Sequence, residues 1–290
     1  MPRFTKKNCS PHVQGKTVKN HSCLTKDLVL NMKSAYNRKK AKSDQIKSKD
    51  PKIIWEELRM KMRECKDEQC WINSLYQQEQ RQRLHEFLFS PDKPYSWAKE
   101  PNEWLSNFDI ESVLHQYEDA HPSFKFIGTT FIDWEVIDGS TCVEPELCHL
   151  DLKKEVDAGH SKIAVVFNLD KHTGKGTHWT SMFIDIQDKF IFYFDSNGTK
   201  IPKQMKRLVE KIKEQGEKLG IKFTFYENHP FTHQYTNSEC GMYSLFFIIT
   251  MLTNKVNGKS FKHHKDKINL FKRKRIPDKH VELLRNVYFN

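Results

Sequence analysis

The sequence contains no charge-free apolar run of 18 residues, so no segment reads as a transmembrane helix. Its first twenty residues, MPRFTKKNCSPHVQGKTVKN, are basic but lack an apolar core, which argues against a secretory signal. No internal repeat is visible, so a repeat architecture is not read. Cysteine is sparse: seven residues, an odd number with no framework spacing, which fits free thiols in a reducing compartment. Zinc-type pairing is also missing. Four residues separate Cys65 from Cys70 and five separate Cys142 from Cys148, which His149 follows, whereas zinc sites use tighter pairs. No metal and no other cofactor is expected. What the chain does have is apolar bulk. Its 290 residues are 37% hydrophobic and 12% aromatic, with twenty phenylalanines, enough for a substantial core in one large domain or two small ones.

Charge is unevenly placed. Residues 1–50 carry a net +10 and residues 255–290 a net +8, out of a total of +11, so the middle is acidic by −7. Basic ends of this kind attract polyanions, and non-specific nucleic-acid contact is one reading. A solvated tail and a solvated helix face are the other.

Residues 1–20 read as a disordered basic tail. Residues 24–40 and 52–89 carry helical periodicity, joined by a lysine-rich linker, KKAKSDQIKSKDPK. Proline and serine cluster in FSPDKPYSWAKEPNEW, a boundary near residues 90–102. The organisation expected is a tail (1–20), a helical N-terminal arm (21–100) and a core (101–290). In the core, EWLSNFDIESVLHQYEDA turns into an amphipathic helix. Residues 161–170, 179–186, 189–196 and 221–228 read as strands, rich in β-branched and aromatic side chains. A charged helix is expected over 202–219, an apolar helix after residue 240, and a closing helix with Pro277 near its first turn.

Cys240 stands where polar, turn-like residues give way to the apolar run GMYSLFFIITML. A helix beginning there aims free backbone N–H groups and its positive dipole end at the sulfur, which favours the thiolate. Those N–H groups also suit an oxyanion. Taken alone, the cysteine reads equally as a small core residue.

A nucleophilic cysteine needs a base, and one histidine among fourteen means little without context. His178 has context: it follows KHTGKGT and opens the strand WTSMFIDI, at the mouth of a sheet. Asp195 ends the next strand, KFIFYFDS. If the two strands form a hairpin whose turn centres between Ile186 and Gln187, His178 and Asp195 face each other, and the carboxylate orients the ring. Asp195 also reads as a turn residue before Ser196-Asn197-Gly198. Gln234, six residues before Cys240, places an amide where it could donate to an oxyanion; alone it reads as a loop residue.

Together, GTHW, FDS and Q-x5-C-G resemble the SUMO-protease and adenovirus-endopeptidase superfamily of cysteine proteases. Within it the likeness is greatest to the polyprotein-processing proteases of African swine fever virus and other large DNA viruses. EWLSNFDI resembles the tryptophan-leucine motif of that fold, and SCLTKDLV and CKDEQC resemble parts of the viral N-terminal arm. The order histidine, aspartate, cysteine separates the chain from papain-like enzymes, whose cysteine comes first. The resemblance implies an α+β fold, with a central mixed or antiparallel sheet, flanking helices and a helical arm. It implies His178 as general base, Asp195 as its orienting partner, Cys240 as nucleophile and Gln234 as oxyanion donor. The viral enzyme has asparagine where this chain has Asp195, so Asn197 is a lesser candidate for the third position. Trp179 and Gly241 are the implied substrate-binding residues, Trp179 walling a narrow tunnel or serving equally as core. Cleavage near Gly-Gly sites is implied, since only glycine lets a backbone pass between close aromatic walls.

Three functions follow from this reading. The first is a viral maturation protease acting on polyprotein or structural precursors in the virion and host cytoplasm. The second is an isopeptidase acting on a ubiquitin-like tail. The third is a basic virion or nucleic-acid protein without enzymatic activity.

Overall fold

A computed structural model describes residues 4–256 and 258–290. The chain divides into two units, Met1–Lys93 with Asn286–Asn290, and Pro94–Arg285.

In the first unit, helices α1 (Lys26–Arg38), α2 (Pro51–Lys61), α3 (Glu68–Leu75) and α4 (Gln78–Leu88) pack around Trp55 and Trp71. Thr25, Asp50 and Asp67 cap the first three by accepting backbone N–H bonds, and Asp67 is what breaks the continuous pattern of 52–89. The buried carboxylate of Glu68 accepts from Trp55 Nε1 at 2.7 Å, from the Cys23 N–H at 2.8 Å and from the Ser22 hydroxyl.

Three expectations differ from the structure. Residues 4–20 are ordered: Val13 and Val18 are buried, Ser10 caps a 3₁₀ turn, and Lys7 and Lys19 pair with Asp92 and Glu56. Their few apolar side chains are enough because each enters the helical core while the lysines stay outside. The lysine-rich linker is also anchored, with Ile46 buried and its N–H and carbonyl both held by the Asn37 side chain. The cysteines are not all free thiols either. Cys9–Cys23, Cys65–Cys70 and Cys142–Cys148 are disulfides, and Cys240 is the unpaired one. Spacing alone does not reveal these pairs, because the fold, and not a repeated motif, brings each pair together.

The second unit is α+β. After α5 (Asn107–Ala120) come β1 (Phe124–Phe131), a small hairpin of β2 (Ile137–Asp138) and β3 (Thr141–Cys142), and short helices α6 (Pro145–Cys148) and α7 (Leu152–Asp157). Then follow β4 (Lys162–Asn168), β5 (Trp179–Asp185), β6 (Phe190–Phe194), α8 (Lys203–Lys218) and β7 (Thr224–Glu227). The chain closes with α9 (Cys240–Thr253), the hairpin β8 (Lys255–Val256) and β9 (Lys259–Ser260), α10 (His264–Arg273) and α11 (Asp278–Tyr288). Five strands form one mixed sheet in the order β1-β4-β5-β6-β7, parallel at both edges and antiparallel in the middle. The middle strands are buried on both sides, so they read as continuous apolar runs.

Helix α8 covers one face with Met205, Leu208, Val209 and Ile212. Helix α9 covers the other, where Phe247 stacks on Phe194 with ring centroids 4.8 Å apart. Residues 240–252 of α9 are all buried, as an all-apolar helix requires. The buried Lys267 ammonium holds the far end of α9, donating to the Met251 carbonyl and to Asn254 Oδ1, each at 2.7 Å. Among the described residues no helix is long and apolar enough to cross a membrane.

The β5–β6 register departs from expectation. Ser181 pairs with Phe194 and Asp185 with Phe190, so the turn centres one residue later, between Gln187 and Asp188. Asp185 Oδ1 accepts the Asp188 N–H at 2.8 Å, and Lys189 takes φ 56°, closing a four-residue turn at that point. Continuing the register puts Thr180, not His178, directly opposite Asp195. A two-residue offset keeps both side chains on one face of the sheet, so His178 reaches Asp195 on the diagonal.

Candidate active site

Asp195 is fixed before it meets any partner. It is fully buried at the end of β6, where the Asn228 side chain pairs with its backbone like a short strand: Asn228 Oδ1 accepts the Asp195 N–H at 2.9 Å and Nδ2 donates to its carbonyl at 2.7 Å. The turn reading is also correct, because the Gly198 N–H returns to the Asp195 carbonyl at 2.8 Å. Gly198 takes φ +70°, and a Cβ there would come within 2.7 Å of the Phe231 backbone. The Asp195 side chain therefore points one way, and its Oδ1 lies 2.7 Å from His178 Nε2. Asn197 contributes only its backbone N–H, donated to the same oxygen at 2.8 Å, and its side chain is exposed.

His178 leads into β5 from a loop that is well braced. Asn168 Oδ1 accepts the N–H groups of Asp170 and Thr177, at 3.0 Å each, and Asp170 Oδ2 accepts that of Gly176 at 3.1 Å. Burial pushes the imidazole pKa down. Hydrogen bonds from the ring to Asp195 and Cys240, with their negative charge, outweigh that and raise it to about 9. With Nε2 engaged by Asp195, Nδ1 is the nitrogen left for the thiol. The imidazolium form is therefore held across the neutral range. The sign follows from a folded value above the ordinary 6.5: the stabilisation is complete below pH 6.5 and is lost as pH rises through about 9. We expect the alkaline limb of kcat/KM to fall near pH 9, and Cys240→Ala to lower the His178 pKa. Both are measurable, by a pH–rate profile and by NMR titration of the ring.

Cys240 is the first residue of α9 and 2% exposed. Its own N–H and those of Gly241 and Met242 lack helical carbonyl partners, as in any first turn. Gly241 has a packing reason to lack a side chain: a Cβ would come 2.8 Å from Leu105 Cβ. Leu105 also supports the base side, its carbonyl accepting the Trp179 indole N–H at 2.8 Å. The Trp104-Leu105 segment thus touches the neighbours of both the base and the thiol.

Gln234 is buried, 5% exposed. Its Oε1 accepts the Ser196 hydroxyl and its Nε2 donates to the Thr236 carbonyl, both at 2.7 Å. These bonds orient the amide and leave one N–H unspent. Two clefts meet at the half-exposed Trp104. One, of about 460 Å³, is lined by Leu105, Thr129–Phe131, Gly174–Gly176 and Trp179. The other, of about 620 Å³, is lined by Glu100–Glu103 and Thr236–Ser238. Trp179, 8% exposed, is therefore both a buried side chain and a cleft wall.

Sequence reasoning missed Asn228, Ser196, Glu239, Asp278 and Arg285. Glu239, directly before the thiol, is fully buried, and burial raises its carboxyl pKa against the opposing pull of Arg285. The adjacency of an acid to Cys240 was the only signal available for it.

The chain is similar to known proteins. Residues 158–287 match the Ulp1 protease family, C-terminal catalytic domain. A thiol protease of Acanthamoeba polyphaga mimivirus is 28% identical over 264 residues, 85% of each chain. A cysteine protease of African swine fever virus is 29% identical over 159 residues, 52% of this chain and 58% of that one. The crystal structure of an African swine fever virus protease shares the fold with a TM-score of 0.65 at 21% identity, covering 98% of this chain and 95% of that one.

Proposed function

We propose that the chain is a cysteine protease with His178, Asp195 and Cys240 as its catalytic triad and Gln234 as its oxyanion donor, since residues 158–287 match the Ulp1 protease family and the chain is similar to thiol and cysteine proteases of large DNA viruses. The observation that carries this is the 2.7 Å bond from His178 to Asp195, with Cys240, at the head of a buried helix, among the groups that raise the pKa of the same ring.

His178 Nδ1 holds the proton of Cys240 in a thiolate–imidazolium pair, and the thiolate attacks the carbonyl carbon of the scissile peptide. The carbonyl electron pair moves onto oxygen, where the Cys240 N–H and the free N–H of Gln234 receive it. Collapse expels the amine, which takes its proton from Nδ1, and leaves a thioester. Water, deprotonated by the same nitrogen, then attacks the thioester, releasing the acid and restoring the thiolate–imidazolium pair. Asp195 keeps the tautomer and stabilises the imidazolium throughout.

The substrates are proteins. We read the cleavage site as Gly-Gly followed by any residue, in viral precursors during virion maturation, because Trp104 and Trp179 border one cleft and glycine alone fits between close aromatic walls. Cleavage profiling of a peptide library with the purified chain tests this. Enrichment of Gly-Gly is expected, and indifference to glycine overturns it. Reaction with a ubiquitin-like tail probe in place of precursor cleavage would make the chain a deconjugating enzyme.

Asp195→Ala is expected to lower kcat by about 10²-fold, less than His178→Ala, since it orients the base and is not consumed. A larger loss from Asn197→Ala would identify a different third residue.

Nucleic-acid contact through the basic ends is a separate proposal. Part of the C-terminal charge is unavailable for it, since Lys267 and Arg285 are buried and engaged. The contact would therefore be carried mainly by residues 1–50, and binding should weaken steeply with salt through counterion release. Salt-insensitive or absent binding of duplex DNA removes it.

A further inference from the structure

The last helix grips the segment that carries both Gln234 and Cys240. Asp278 opens α11, and Arg285 stands two helical turns later on the same side. Both are buried. The Asp278 carboxylate accepts the Tyr235 N–H at 3.1 and 3.2 Å to its two oxygens, and the Thr236 hydroxyl at 3.3 Å. Arg275 holds the same carboxylate at 3.0 Å and donates through Nε to the His233 carbonyl at 3.1 Å. Both chain neighbours of Gln234 are thereby tied to residues 275–278.

At the other end, Arg285 makes a two-pronged bond to Glu239, Nε to Oε2 and Nη2 to Oε1, each 3.1 Å. Nη2 also donates to the Glu103 carbonyl at 2.8 Å, one residue before Trp104, and the guanidinium lies over the Trp97 ring at 4.5 Å. Glu239 is the cap of α9 and the residue before the thiol. A buried ion pair adds little net stability over apolar side chains of equal size, so its presence here points to geometry.

We propose that Asp278 and Arg285 are positioning residues that set the separation of the oxyanion donor from the nucleophile, by holding the two ends of the 234–240 segment. This rests on the roles assigned above to Gln234 and Cys240. The two grips act on different requirements. Alkylation of Cys240 by iodoacetamide uses the thiolate but forms no oxyanion, whereas peptide cleavage needs both.

The test uses the full chain and measures kcat and KM on a Gly-Gly peptide, the rate of Cys240 alkylation, and the thermal midpoint. Asp278→Ala should lower kcat about tenfold with KM within about twofold and alkylation unchanged. Asp278→Asn keeps an acceptor for the Tyr235 N–H and should recover most of that loss. Arg285→Met should lower kcat and alkylation together, each about tenfold. Where either variant fails to fold, Arg285→Lys decides: it keeps the charge without the fork and should lose about fivefold in kcat with circular dichroism unchanged. Folded variants with wild-type kcat overturn the proposal, as does loss of kcat and alkylation by one common factor in both Asp278→Ala and Arg285→Met. A wild-type chain that neither cleaves the peptide nor is alkylated at Cys240 overturns the catalytic assignment itself, a distinct result.

Discussion

Cys240→Ala is expected to reduce peptide cleavage by roughly 10⁴-fold or more, with the fold kept. The substitution removes one sulfur from a nearly closed site, and an exchange of that size in a packed interior costs about 1 kcal/mol. Chemically it removes the sulfur proposed to form the thioester. Cys240→Ser should be almost as severe, because an alcohol is far less acidic than a thiol and gives no comparable anion beside the ring. His178→Ala should fall in the same range. The double variant should be little worse than either single one, since the pair acts as a unit. Retention of a tenth of wild-type activity in Cys240→Ala contradicts the assignment.

Gln234→Ala should lower kcat by roughly 10–1,000-fold with KM nearly unchanged, as for a donor used mainly in the transition state. The substitution also strips the Ser196 hydroxyl of its acceptor inside the protein, at about 1–3 kcal/mol of stability. Ser196→Ala separates the two effects. It removes the hydroxyl that needs the acceptor but leaves the Gln234 amide and its N–H groups in place. Lower stability with kcat closer to wild type than in Gln234→Ala is expected. A change confined to KM would instead make Gln234 a substrate-binding residue.

The elements around the thiol were legible because their signals are local. A polar turn followed by an apolar run marks the start of α9, and Cys240 is its first residue. The strands of the sheet centre lie within one or two residues of where β-branched and aromatic runs place them. The pairing of His178 with Asp195 was expected through a register that proved offset. It survives because an error of two residues preserves the face of a strand, whereas an error of one would have separated them. The parallel edge strand β1 was not read, since a single run that pairs with β4 across α6 and α7 leaves no hairpin signature.

The supporting residues were illegible for another reason. Asn228 acts on Asp195 from 33 positions away, and Arg285 acts on Glu239 from 46. Neither spacing has a periodicity or motif to expose it. The tail over 1–20 was read as disordered because composition counts lysines and cannot see that Val13 and Val18 find a helical core to enter.

The central claim is that Cys240 is a nucleophile activated by His178. The most direct measurement is the site and rate of covalent labelling by a Gly-Gly vinyl-sulfone peptide, read by intact mass and peptide mapping. The account predicts a single adduct on Cys240 in the wild-type chain, none in Cys240→Ser, and labelling slowed by at least about tenfold in His178→Ala. An adduct on another residue, or labelling of Cys240 at the same rate without His178, would contradict it.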